Sequence, residues 1–349
     1  MKKTYLLLLS LSLFITTSCG LFSSDKSDKK ESASTKTEDT AATESGVLAL
    51  AVNGTQLVDE TGEAVVLQGI SFGWHNWWGQ FWNEGVVETL VNDWHAEVIR
   101  AAMGVEPEFA YLEKPEESIE KVITVVDAAI ANDVYVIIDW HSHGLRLEEA
   151  KEFFKIMATK YKGVKNVIYE IFNEPHNKAD KKNDYTWAQI KDYSEQVIDV
   201  IREIEKDAVI LVGTPRWSTL LNEVAKDPLT GYDNIMYVFH FYAASHKQEK
   251  RDLAQTGVDA NLPIFVSECG GMEASGDGPI DMEQWTTWLE WMDERNISWV
   301  AWSISAKVET CSMITPEGNE NGGWSDDMIK PWGKVVKDEL AKRAAEKAK

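Results

Sequence analysis

Short apolar, β-branched runs recur along the chain: VVLQGI at 65–70, EVIRAAM at 97–103, VYVIIDW at 134–140, NVIYEIF at 166–172, AVILVG at 208–213, IMYVFHF at 235–241, PIFVSE at 263–268 and WVAWSI at 299–304. Between them lie stretches with apolar residues three and four apart, such as 115–133, 147–163 and 184–207, which predict helices, with Pro115 and Asp184 suited to helix starts. Strands apolar on both faces that alternate with helices predict a parallel sheet covered by helices. Eight such units predict an α/β fold of one (β/α)8 TIM barrel, with residues 47–349 as its domain. Ahead of the first run, residues 52–71 alternate polar and apolar positions around Asn53-Gly54 and Thr61-Gly62, which predicts a short N-terminal β-hairpin. No Gly-rich phosphate loop follows a strand, which counts against a dinucleotide-binding sheet.

The ends of the chain change the picture. Lys2 and Lys3 precede an apolar run from Tyr5 to Ile15, too short to cross a bilayer, so residues 1–18 read as a secretory signal. The following Cys19 resembles the lipidated first residue of a bacterial lipoprotein, although Thr16 stands where that pattern usually has Leu, and plain signal cleavage is the alternative. Residues 19–46 are rich in Ser, Thr, Lys, Asp and Glu and read as a disordered tether. The expected location is the cell envelope or surface, with membrane contact only through that lipid. A formal net charge of −22 in 349 residues, without a basic stripe, argues against nucleic acid as a partner. Cys269 and Cys311 lack metal-type spacing and stand either as separate thiols or as a disulfide.

In a barrel the C-terminal strand ends converge on one mouth. That mouth would hold Arg100, Asp139, His141, Asn173, Glu174, His240, Tyr242, Glu268 and Trp302. Taken singly, Arg100 reads as a buried ion-pair partner, Asp139 as a support for an Arg or His, and His141 and His240 as core histidines. Taken together, they are costly to assemble without a chemical task. Two reactions compete for them. His141-Ser142-His143 resembles the HxH of metal-dependent barrels, but that motif belongs on a first strand, so His143 reads as a loop residue and no metal or other cofactor is expected. Glu174 and Glu268 end the fourth and seventh strands, which face each other, and could bracket a glycosidic bond. Carboxyl groups about 5–5.5 Å apart would retain anomeric configuration, and about 6.5–9.5 Å would invert it.

The motifs IRAAM, IIDWH, Asn173-Glu174-Pro175, FHFY, Ser267-Glu268 and WSISAK, in that order, resemble glycoside hydrolase family 5 and its bacterial endo-β-1,4-glucanases, from about residue 50 to about 335. The resemblance implies that Glu174 is general acid/base and Glu268 the nucleophile of a retaining double displacement on cellulose or a related β-glucan. It implies that Asn173 bonds the sugar 2-hydroxyl and that His141 and His240 contact sugar or network. Arg100 and Tyr242 would keep Glu268 ionised, while the Glu268 charge would keep Glu174 protonated.

Fifteen Trp suit a sugar polymer, because flat rings stack on the C–H faces of sugars. Trp74, Trp77 and Trp78 follow the first strand and Trp217 the fifth, while Trp285, Trp288 and Trp291 recur at helical spacing and read as packing. By resemblance, Trp302 is the platform under the reacting sugar, Trp217 a platform on the leaving side, and Lys307 and Glu309 contacts on the non-reducing side. Two departures stand out. Gly73 occupies the place of a common His, so His75 is expected to take over its sugar contact, and Cys269 replaces a common Trp. Alternative substrates are mannan, xyloglucan or mixed-linkage glucan; a non-catalytic glycan-binding lipoprotein is the alternative from another class. A monomer is expected.

Overall fold

The computed structural model describes residues 46–180 and 182–349. The expected signal, Cys19 and the tether up to residue 45 lie outside the described residues. The hairpin pairs β1 (Leu50–Asn53) with β2 (Gln56–Asp59), and Gly54 between them has φ 61°, the left-handed region where a Cβ is penalised. Eight parallel strands then close into a barrel: β3 (Gln68–Phe72), β4 (Val98–Gly104), β5 (Tyr135–His141), β6 (Val167–Glu170), β7 (Ile210–Val212), β8 (Ile235–Tyr242), β9 (Ile264–Gly270) and β10 (Trp299–Ile304), with β10 paired to both β9 and β3. Every residue of these strands is buried, which is why each reads as a continuous apolar run.

The outer layer is built by α2 (Glu84–Asn92), α3 (Pro115–Ala131), α4 (Leu147–Lys160), α5 (Trp187–Arg202), α8 (Gln248–Asp259), α9 (Met282–Asp293) and α10 (Pro331–Lys347). Short turns α1 (His75–Trp78), α6 (Pro215–Ser218) and α7 (Leu221–Val224) lie in the loops. Helix α3 opens at Pro115 as expected, but α5 opens at Trp187 rather than at Asp184. There Thr186 and Gln189 cap one another's backbone N–H groups, and Asp184 instead accepts from the N–H groups of Asn177 and Tyr185. Trp285, Trp288 and Trp291 are buried, and Trp288 lies 4.2 Å from Phe241 at 13°, confirming the packing role of that helical stripe. Cys269 and Cys311 are free, buried thiols.

At the N-terminal end of the barrel, Leu50 and Leu57 from the hairpin join Val98, Ile137, Leu211 and Phe265 in one apolar cluster. The hairpin therefore plugs the end opposite the mouth. Leu57→Ala should cost about 2–5 kcal/mol through lost burial and the cavity left behind. Urea unfolding will check this, and an unchanged midpoint would mean that the hairpin does not seal the core.

Candidate active site

The floor of the mouth is organised around one cation. Arg100, on β4 and without exposed surface, donates from Nε to Glu170 Oε2 at 2.8 Å and from Nη2 to Glu170 Oε1 at 3.0 Å. The same Nη2 reaches Asp139 Oδ2 at 2.9 Å and Asn173 Oδ1 at 2.8 Å, and Nη1 reaches Glu268 Oε2 at 3.2 Å. Burial by itself would favour a neutral guanidine, but Asp139, Glu170 and Glu268 raise its pKa further and keep it charged. One positive charge thus faces three carboxyl groups. Burial pushes Asp139 well above the usual carboxylate range against the pull of Arg100, and the charges of Glu170 and Glu268 push the same way.

Glu174 comes from a segment that leaves the sheet earlier than the apolar run implies. Strand β6 ends at Glu170, and beyond it Asn173 N–H donates to Trp140 O at 3.2 Å and Glu174 N–H to Ser142 O at 3.2 Å. The backbone beyond β6 thus bonds back toward the loop after β5. An oxygen of Glu174, an oxygen of Glu268 and a ring nitrogen of His240 all lie within 4.8 Å of one another. Tyr242 OH donates to Glu268 Oε1 at 2.7 Å. Two imidazoles flank Glu174: His240 Nδ1 lies 3.1 Å from Oε1 and His143 Nε2 lies 3.4 Å from Oε2.

These neighbours reverse the expected polarity of the two acids in the free protein. Burial raises Glu268 above the usual carboxylate range, with the Glu174 charge adding to it, against His240, Arg100 and the Tyr242 hydroxyl. Arg100 cannot prevent this because it divides its charge among three acids. Burial also opposes ionisation of Glu174, but hydrogen bonds from His143 and His240 outweigh it and hold the pKa at about 2. Both imidazoles thus lie within hydrogen-bond reach of the Glu174 carboxyl. His141 has a different task. Its Nδ1 bonds Asp139 Oδ2 at 2.7 Å, and burial, then Arg100, lower its pKa well below the ordinary value, so it is neutral.

Of the aromatic residues, Trp302 lies nearly parallel to the His141 ring, 5.1 Å away at 8°. Trp217 is 42% exposed and stacks on His176 at 3.8 Å, while Trp77 is 54% exposed and Trp78 half-buried. Arg216, Trp217 and Ser218 all have positive φ, and the Ser218 hydroxyl donates to Asn173 O at 2.7 Å, tying that turn to the acid loop. Lys307 and Glu309 form an ion pair beside the last strand. His75 departs from expectation. Its Nε2 bonds the Ser118 hydroxyl at 2.8 Å and its Nδ1 accepts from Gly104 N–H at 3.0 Å, so both ring nitrogens are spent inside the fold. It fastens the first loop and has none left for a sugar.

Residues 58–308 match the family model described as cellulase (glycosyl hydrolase family 5). The chain belongs to glycoside hydrolase family 5. It is 39% identical over 290 residues to endoglucanase A of Evansella cellulosilytica, an alignment covering 81% of this chain and 58% of that protein. The chain thus spans less than two thirds of the curated relatives it matches. Among solved structures of the family, the catalytic domain of Thermobifida fusca endoglucanase Cel5A superposes with a TM-score of 0.79 at 34% identity, covering 84% of this chain and 97% of that one. A variant of the same domain in complex with cellotetraose superposes with a TM-score of 0.78 at 34% identity, with the same coverage.

For a member of this family, the mouth also contains residues to which the sequence reading gave no role. Glu170 was legible as an acid inside the apolar run VIYE, since a carboxylate facing a barrel interior requires a cation. His143, read as a loop residue, is buried against Glu174 and stacks on Trp74 at 5.8 Å. Beside it opens a cavity of about 390 Å³ lined in part by Trp74, Glu106, His176 and Tyr185. The Glu174, His240 and Glu268 atoms are close enough to surround a cation, but the His240 nitrogen already bonds Glu174, and Glu268 bonds Arg100 and Tyr242.

Removing the central cation tests this electrostatic account. Arg100→Met should destabilise the protein by about 3–5 kcal/mol at pH 7, because the buried carboxylates lose their counter-charge. Asp139 and Glu268 already have folded pKa values above those of the unfolded chain, so folding takes up protons and becomes more favourable as pH falls. The deficit of the variant should therefore shrink between pH 7 and pH 5 in urea titrations. A deficit constant over that range would contradict the account.

Proposed function

We propose that the protein hydrolyses internal β-1,4-glucosidic bonds of cellulose or a related β-glucan with retention of configuration, as a single chain. The observation that carries this reading is the approach of carboxyl oxygens of Glu174 and Glu268 within 4.8 Å at the mouth. So close an approach accords with the separation of about 5–5.5 Å used by retaining enzymes better than with the roughly 6.5–9.5 Å of inverting ones. The endoglucanase name of its relatives and the cellotetraose bound to a similar catalytic domain support the substrate class.

In the first step a Glu268 oxygen attacks the anomeric carbon as the bond to the leaving oxygen breaks, and Glu174 gives that oxygen a proton. Entry of the sugar expels water, which disfavours separated charges and so favours a proton on Glu174. Once Glu268 is esterified its charge is gone, and Glu174, now ionised, takes a proton from the water that releases the product. Asn173 uses its oxygen on Arg100 and one amide N–H faces His141 Nε2 at 3.5 Å, which leaves the other N–H for the sugar 2-hydroxyl. Trp302 and Trp217 serve as platforms on either side of the scissile bond, with Lys307 and Glu309 beyond Trp302.

Purified protein should release reducing ends from carboxymethyl cellulose faster than from mannan or lichenan, and proton NMR should show the β anomer first. An α product would exclude retention. Glu174→Gln should lower turnover of polysaccharide by roughly 10²–10⁴-fold while sparing the first step on an aryl glycoside with a good leaving group. Equal losses on both would remove the acid role from Glu174.

The N-terminal segment supports export across the inner membrane and a lipid anchor at Cys19, with residues 20–46 as the tether between envelope and barrel. Cys19→Ala should move the enzyme from the membrane fraction to the soluble fraction. Unchanged fractionation would argue for plain signal cleavage.

A further inference from the structure

A second line of hydrogen bonds runs from the Arg100 cluster to Glu174. Ser267 Oγ lies 2.8 Å from Glu170 Oε1, and His240 Nε2 lies 3.0 Å from the same Oγ. On the other side of the ring, His240 Nδ1 lies 3.1 Å from Glu174 Oε1. Arg100 grips both Glu170 oxygens, so that carboxylate offers only lone pairs to Ser267. At that distance two oxygens repel unless a proton lies between them, and the single hydroxyl proton of Ser267 is the one available. Ser267 must then accept from His240, which makes Nε2 the protonated nitrogen. With Nε2 protonated, the Nδ1–Glu174 Oε1 contact at 3.1 Å is bridged by one proton shared between ring and carboxyl.

We propose that Ser267 is a positioning residue for the hydrolytic reaction: by directing its hydroxyl proton to Glu170 it fixes His240 as the Nε2–H tautomer, so that the proton shared with Glu174 is available to the leaving oxygen. This deepens the catalytic reading given above and rests on it. The proton passes from the pair to Glu174 and then to the glycosidic oxygen, which also takes the electron pair of the broken carbon–oxygen bond. Glu268 supplies the new bond to carbon. Without the serine hydroxyl, Nε2 would face Glu170 Oε1 at 3.9 Å, beyond a good hydrogen bond, and the ring would be free to protonate at Nδ1. That tautomer donates to an ionised Glu174 and stabilises the wrong state for an acid. Glu170 on β6, Glu174 just beyond it, Glu268 on β9 and His141 on β5 act on His240 by charge, while Arg100, Tyr242 and His143 touch those acids.

The test compares Ser267→Ala and Ser267→Thr in the full chain. Ser267→Ala should lower kcat/KM on carboxymethyl cellulose roughly tenfold, a fraction of a general acid's contribution, and change 2,4-dinitrophenyl β-cellobioside cleavage by less than about twofold. The basic limb of its pH profile should move to lower pH, and Ser267→Thr, which keeps the hydroxyl, should restore it. In ¹⁵N-labelled protein, NMR should show neutral His240 protonated at Nε2 in the wild type and at Nδ1 in Ser267→Ala. Equal losses on both substrates, an unmoved basic limb, or an Nδ1–H tautomer in the wild type would each overturn the proposal. Wild-type protein inactive on both substrates would instead sink the catalytic reading, and the tautomer measurement would still decide whether Ser267 orients the ring.

Discussion

The guanidinium of Arg100 holds the C-terminal ends of several strands in one arrangement. From β4 it reaches Asp139 on β5, Glu170 on β6, Asn173 just beyond it and Glu268 on β9. Desolvating one cation and three acids is expensive, and hydrophobic residues of similar volume would cost the fold less. What the arrangement supplies is geometry. A planar fork with fixed donor directions sets the carboxylates to within hydrogen-bond tolerance, and the surrounding barrel wall leaves them no room to turn.

From that cluster the two acids at the mouth, Glu174 and Glu268, acquire different characters. Glu268 bonds the fork at one oxygen and Tyr242 at the other, so both oxygens are oriented before any sugar arrives. Glu174 bonds no arginine and is instead held by His240 and His143, side chains that can store a proton and return it. In the free protein these bonds favour the ionised carboxylate of Glu174. The two roles arise from neighbours that lie far apart in sequence.

The tryptophans divide along a similar line. Those at helical spacing on α9 cement that helix to β8, whereas Trp77 and Trp217 sit on loops with much of their ring surface in solvent. Trp217 is held out by consecutive residues of positive φ and by stacking on His176, which fixes a flat face without burying it. A platform of this kind suits a ligand that offers C–H faces to rings and hydroxyls to the polar residues between them.

The sequence by itself determined the barrel, because strands buried on both faces must be continuous apolar runs and the helices between them must carry a stripe of period 3.6. It also determined which residues stand at the mouth, since every parallel strand ends at the same side; Arg100, His141, Glu174, His240 and Glu268 follow from that rule alone. Tertiary structure decided who touches whom. Glu170 taking most of the Arg100 fork, His143 closing on Glu174, and His75 spending both nitrogens on Ser118 and Gly104 depend on distances across the barrel and between loops. The pKa directions followed from those contacts and reversed the simple pairing of Arg100 with Glu268. Periodicity encodes which face of an element is buried, whereas the protonation of a buried acid depends on the few ångströms around it, which are set only when separate strands close into one ring.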